Sequence, residues 1–170
     1  MLFKPEYDEN GKKILCERNG INSDMLMDIY VKKLKTGEVL EIFEENNECA
    51  VLLLSGKVNF KVSDCINESC ERKNPFEKKP YAVHFPKKVK AVVTALAESE
   101  VLVQQTDNDK EWTPVFYNPE NCLYQEFGKG QWNGTGHRIV STMFDLDNAP
   151  YSNMVMGEVF NQPGRWSSYP

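Results

Sequence analysis

The chain has 170 residues, 41 % of them hydrophobic and 26 % charged, with a formal net charge of -5. That length suits one domain, or one and a fraction, with a real core, and the composition excludes disordered and fibrous classes. An acidic balance without a basic face argues against nucleic acid, and no apolar run approaches the ~18 residues a spanning helix requires, so no membrane partner is expected.

Met1 to Pro5 lacks the apolar core of a signal peptide, and a cytoplasmic setting is expected. Its five cysteines form an odd set without an export signal and are read as free thiols. Cys65 and Cys70 have no second pair or neighbouring histidine to complete a zinc site.

Residues 1–24 are polar and turn-rich, with Asn10-Gly11 and Asn19-Gly20, and read as an arm across a sheet edge. From Met25 apolar residues recur every second position through Val31, and a turn at Lys35-Thr36-Gly37-Glu38 leads into a strand over 39–43. Cys49 to Leu54 is a continuous apolar run. Ser55-Gly56 reads as a turn, and Val58, Phe60 and Val62 alternate on one face of the next strand, which predicts a hairpin. Residues 63–80 read as an exposed excursion. Three more strands follow at 81–85, 89–96 and 100–105. The aromatic, glycine-rich stretch 112–134 reads as a connection, and strands at 137–144, 154–161 and 165–169 follow.

Many short strands at about ten-residue spacing, without a long 3.6-period segment, indicate an all-β sandwich or jelly roll. No internal repeat appears. Gly128-Lys129-Gly130 and Gly134-Thr135-Gly136 fit neither phosphate-loop spacing and read as a flexible connection. No serine lies in a nucleophile elbow, and no cysteine has a base nearby in sequence, so no catalytic nucleophile is assigned. His84, in mid-strand, reads as a packed structural histidine. His137 precedes a strand and lies beside Arg138. Trp166 reads as core.

In its closing residues 149–170, APYSNMVMGEVFNQPGRWSSYP, and in Glu48 to Val58, ECAVLLLSGKV, the chain resembles the 5-deoxyglucuronate isomerase family of myo-inositol breakdown, related to 5-keto-4-deoxyuronate isomerase. The resemblance implies a cytosolic enzyme of two fused cupin barrels. It also implies aldose–ketose isomerisation of 5-deoxy-D-glucuronate to 5-dehydro-2-deoxy-D-gluconate, with a divalent metal held by histidines and a glutamate in the second barrel. On that basis we expect a cupin-like jelly roll with the first strands of a second, incomplete cupin. The division expected is an arm at 1–24, a metal-free barrel at 25–130, and a connection with opening strands at 131–170.

The cupin metal pattern gives a direct test. With Gly37 and Gly56 as its bracketing glycines, the histidine positions fall on Phe43 and Glu45 and the acid near Glu48. The third histidine falls near Ala91, after Pro86-Lys87-Lys88. Phenylalanine and alanine cannot donate, so no metal ligand and no cofactor is expected in this chain. In the family PGRWSSYP runs into the histidine-rich segment, which puts Arg165, Ser168 and Tyr169, together with His137, beside the substrate. Arginine there can hold a carboxylate bidentately. Two functions follow as expectations. One is the amino-terminal portion of an isomerase, inactive alone and completed by a complementing cupin chain. The other is a non-catalytic module that binds a sugar acid or forms homo-oligomers through exposed strands at 154–169.

Overall fold

The computed structural model describes residues 3–76 and 80–166. It is nearly all β, with strands β1 (Lys12–Cys16), β2 (Asp28–Leu34), β3 (Val39–Ile42), β4 (Asn47–Val62), β5 (Ile66–Arg72), β6 (Ala82–Phe85), β7 (Ala91–Ala95), β8 (Ser99–Asp107), β9 (Val115–Tyr117), β10 (Leu123–Phe127), β11 (Arg138–Phe144) and β12 (Met156–Asn161). One sheet runs β1-β2-β8-β4-β6-β9. A second carries β3, β7, β4 and β5, and a separate three-stranded sheet runs β10-β11-β12.

Strand β4 belongs to both large sheets. Asn47 to Ser55 pair with β8, while Gly56 to Val62 pair with β5. The predicted hairpin at Ser55-Gly56 is therefore one long, bent strand. A register shift between Leu53 and Ser55 starts the bend. Gly56 completes it at φ +99°, where a Cβ would lie 2.3 Å from the Glu98 carbonyl oxygen. Only glycine accepts that backbone and that approach. The Ser99 hydroxyl accepts the Lys57 N–H at 3.0 Å and ties the bend to the start of β8.

The excursion expected at 63–80 contains β5, whose Ile66, Cys70 and Arg72 are buried. The arm contributes β1, paired antiparallel with β2. Ahead of it, the Tyr7 hydroxyl donates to the Glu100 carboxylate, and the ammonium groups of Lys13 and Lys33 sit 4.4 and 4.0 Å from its ring centroid. The connection expected at 112–134 supplies β9, which pairs with β6, and β10, which pairs with β11.

Alternation then sorts the side chains. Cys49, Val51 and Leu53 of β4 face the second large sheet and join Val58, Phe60, Val62, Val83, Phe85, Val93, Val101 and Val103 in one core. Ala50 and Leu52 face the other way. With Ala82 they form a second apolar cluster against Met143, Phe144, Met154 and Met156 of the small-sheet region. Met154 and Met156, expected on exposed strands, are thus buried, whereas Trp166, expected in the core, is 55 % exposed. The described part of the strand expected at 165–169, Arg165-Trp166, is not a strand. Among the described residues no helix is long and apolar enough to cross a membrane.

Gly56→Ala is expected to lower unfolding free energy by about 2–4 kcal/mol in urea titrations, because it adds a left-handed backbone penalty to a clash with main-chain atoms. A loss below about 0.5 kcal/mol would show that the bend does not depend on this glycine.

Candidate functional site

The outward face of β4 begins with a charge. Glu48 is fully buried, and its carboxylate meets the equally buried His84 Nε2 of β6 at 2.9 Å. The Ser152 hydroxyl lies 2.9 Å from the same carboxylate oxygen, and the Asn153 N–H donates to the other oxygen at 2.6 Å. Both donors come from the segment between β11 and β12. Phe144 stacks on the imidazole at 4.0 Å between centroids and 6° between planes, and Tyr151 lies beyond at 6.1 Å. Trp112 approaches its edge at 5.0 Å. His84 is therefore a packed histidine as the sequence implied, but packed against a carboxylate between two sheets.

A second charged contact joins the same layers. Arg72, at the end of β5 and fully buried, donates Nη1 and Nη2 to the two oxygens of Glu158 on β12 at 2.8 and 2.7 Å. Its Nη1 also donates to the Leu53 carbonyl at 3.0 Å and its Nη2 to that of Pro75 at 3.1 Å. This fork of planar donors holds a carboxylate in two places at once, which lysine cannot do.

At the far end of the small sheet the β10–β11 hairpin carries an open cluster. Glu126 accepts from His137 Nε2 at 2.7 Å and from the Lys129 ammonium at 3.1 Å. Those bonds, Lys129's the stronger, hold the Glu126 carboxyl below the ordinary value of 4.5. The segment after β12 folds back onto this loop. Trp166 N–H donates to the Thr135 carbonyl at 2.8 Å, and Arg165 Nη1 lies 2.9 Å from where a Cβ on Gly134 would stand. The His137 N–H in turn donates to the Gly134 carbonyl at 3.4 Å. The structure thus brings His137 and Arg165 to one loop. Ser168 and Tyr169 lie outside the described residues.

The mouth of the barrel offers less chemistry. Gln105 Nε2 donates to Glu44 at 3.2 Å and to the Cys49 sulfur at 3.3 Å, beside Tyr30 and a cavity of about 130 Å³. Burial pushes both the Cys49 thiol and the Tyr30 hydroxyl up to about 12, so neither is a ready nucleophile at neutral pH.

The residues were tested for the divalent metal that the resemblance implies. Phe43 and Glu45 are exposed, Ala91 is buried and has no donor, and Glu48 already accepts from three groups. Among the described residues no three of His, Cys, Asp or Glu converge on one point. The donor set does not fit, and no step is derived through a metal here.

Two face-to-face antiparallel sheets sharing a bent central strand, with a third sheet docked outside, define a cupin-like jelly-roll protein. An IolB-like protein from Salmonella typhimurium superposes with a TM-score of 0.69 at 23 % identity, over 82 % of this chain and 52 % of its own. A Pseudomonas aeruginosa protein described as glyoxylate-induced gives 0.64 at 11 % identity, over 94 % of this chain and 60 % of its own. The KduI/IolB family profile matches residues 1–170, and the chain belongs to that family. The 5-deoxy-glucuronate isomerases of Bacillus licheniformis and Bacillus subtilis are 27 % and 25 % identical to it over its whole length. The chain spans 63 % of the length of each.

Sequence reasoning missed Glu48 as an interlayer anchor, Arg72, and Glu126. The available signals were a carboxylate opening an apolar run and an arginine closing an alternating strand. Glu48→Ala is expected to cost about 3–5 kcal/mol in urea unfolding, with a changed near-ultraviolet circular dichroism signal from Trp112 and Tyr151, because His84 loses its buried partner. Glu48→Gln, which keeps an acceptor, is expected to cost less. Glu126 followed by carboxyl carbon shifts is expected to titrate below 4.5. Any stabilisation from it is present above that value and is lost as pH falls through its lowered folded pKa.

Proposed function

We propose that this chain is the frame-forming barrel, with its docked small sheet, of a sugar-acid aldose–ketose isomerase, acting on 5-deoxy-glucuronate as the named relatives do. The observation that carries this reading is that two buried groups of the barrel, Glu48 and Arg72, bond to Ser152, Asn153 and Glu158 of the small-sheet region. They commit the barrel's outer face to holding β11 and β12. An aldose–ketose isomerase moves hydrogen between adjacent carbons and needs a proton carrier beside a polarised carbonyl. In this reading the barrel interior is a packed core, and the reacting groups gather at the small sheet. The polarising cation is held by residues other than those described here. The setting proposed is the cytoplasm, the route sugar-acid breakdown, and the division an arm, a metal-free barrel and a second unit completed by a complementing cupin chain.

A second reading is a non-catalytic module that assembles with copies of itself. Leu123, Phe127 and Val159 favour it, since they are 46 %, 38 % and 53 % exposed on one face of the small sheet. One experiment separates the two. Isomerisation of 5-deoxy-glucuronate is followed for the 170-residue chain alone, with Zn²⁺ or Mn²⁺ added, and for a chimera in which it replaces the matching region of the Bacillus licheniformis enzyme. Turnover only in the chimera is expected. Turnover by the lone chain would overturn the frame reading, and a folded, inactive chimera beside a self-associating chain would favour the second.

A further inference from the structure

We infer that the joint between barrel and small sheet holds one internal water molecule, bridging the Trp112 Nε1–H and His84 Nδ1, and that His84 is the neutral tautomer with its proton on Nε2. The inference does not depend on the sugar-acid reading. It concerns how the buried Glu48 is kept in place.

The Glu48 carboxylate is an acceptor, already serving the Asn153 N–H at 2.6 Å, so the 2.9 Å bond to His84 puts the ring proton on Nε2. Which nitrogen carries the proton is set by the bond that it makes. Nδ1 is then a bare acceptor on a fully buried side chain, and among the described residues it has no hydrogen-bond partner. The Trp112 Nε1–H is its complement: a donor only, equally shut from solvent at that atom, and equally without a partner among the described residues.

The two rings are neighbours. The pairing of His84 with Val115 brings Trp112, just ahead of β9, to the imidazole, with 5.0 Å between ring centroids and 47° between planes. A buried donor and a buried acceptor left unmet each carry a desolvation cost, and a single oxygen that accepts from one and donates to the other removes both. Two polar partners are the minimum that an internal water requires. The walls suit an occupant of that size, since Phe144 stacks on the imidazole at 4.0 Å and Tyr151 on the Trp112 ring at 4.7 Å. The bonds then run in one direction, from indole to water to imidazole to carboxylate, so each polarises the next. The water is thus one enclosed molecule in an otherwise dry joint, and it supports the proton that Glu48 accepts.

The test is nuclear magnetic resonance on the ¹⁵N-labelled 170-residue chain at neutral pH. Long-range ¹⁵N–¹H correlations are expected to show His84 protonated at Nε2 and bare at Nδ1. The Trp112 indole proton is expected to give a water cross-peak whose sign reverses between laboratory-frame and rotating-frame spectra, which separates a long-lived water from proton exchange. Trp112→Phe keeps a ring and removes the N–H; it should shift the His84 Nδ1 resonance downfield and abolish any water cross-peak at the neighbouring His84 ring proton. A proton on Nδ1, no water cross-peak at the indole, or an unchanged Nδ1 resonance in a folded Trp112→Phe would each overturn the inference. The first two measurements use the unaltered chain and decide the matter even where the variant does not fold.

Discussion

A carboxylate at the centre of a dry interface constrains everything packed around it. Glu48 cannot be moved from water to the face of a sheet without partners, because an ion left unpaired there costs several kcal/mol. Its three donors come from two places: His84 from the neighbouring strand, and Ser152 and Asn153 from the segment that leads into β12. The segment cannot lift away without stranding the charge. A local choice of residue at the start of β4 thereby fixes where a strand more than a hundred positions later must run.

The Glu48–His84 pair within the barrel sheet and the Arg72–Glu158 contact between layers do different work. Glu48–His84 sits under stacked rings with both side chains fully buried, so it gains from low local dielectric and tolerates no partial opening. Arg72–Glu158 is buried on one side only, the Glu158 side chain being 22 % exposed. Its geometry supplies direction more than energy, since a fork gripping both carboxylate oxygens fixes the rotation of β12 as well as its distance. Met143, Met154 and Met156, adaptable thioether side chains, pack with Phe144 in the apolar cluster beside these contacts.

Much of the barrel was legible because its strands obey a two-residue period against a single core. β3, β6, β7 and β8 fall where alternation and turn residues placed them, while β2 starts three residues later than the alternation from Met25 suggested, because Met25 and Leu26 belong to an exposed turn. The bend in β4 was not legible, since Ser55-Gly56 is equally a turn signal and a glycine that lets a strand cross between sheets; only the pairing of Val58 with both Cys70 and Ala95 decides. β5 was obscured by its charged exposed face, Asn67, Glu68, Ser69 and Glu71, although Ile66, Cys70 and Arg72 point inward. β10 has five exposed residues and almost no apolar alternation, so its pairing with β11 carried no sequence signal. At the site, His137 and Arg165 were singled out by type, but their meeting depends on the fold-back of 162–166 onto Gly134 and Thr135, which no local pattern encodes.

The distribution of polar groups follows from these packing rules. Inside the barrel the core is aliphatic and aromatic, and Cys49 and Tyr30 near its mouth are held protonated by burial. A closed interior of that kind stabilises but has little to offer a polar ligand. The tip of the small sheet is the opposite: Glu126, Lys129 and His137 pair at least partly in contact with water, and its backbone takes left-handed conformations at Trp132 and Asn133. Rigid polar contacts lie where the layers must not move, and solvent-facing ones at the far hairpin. The barrel gives the small sheet the one thing a three-stranded sheet lacks by itself, an apolar surface to dock on, since so few strands are marginal without a covered face.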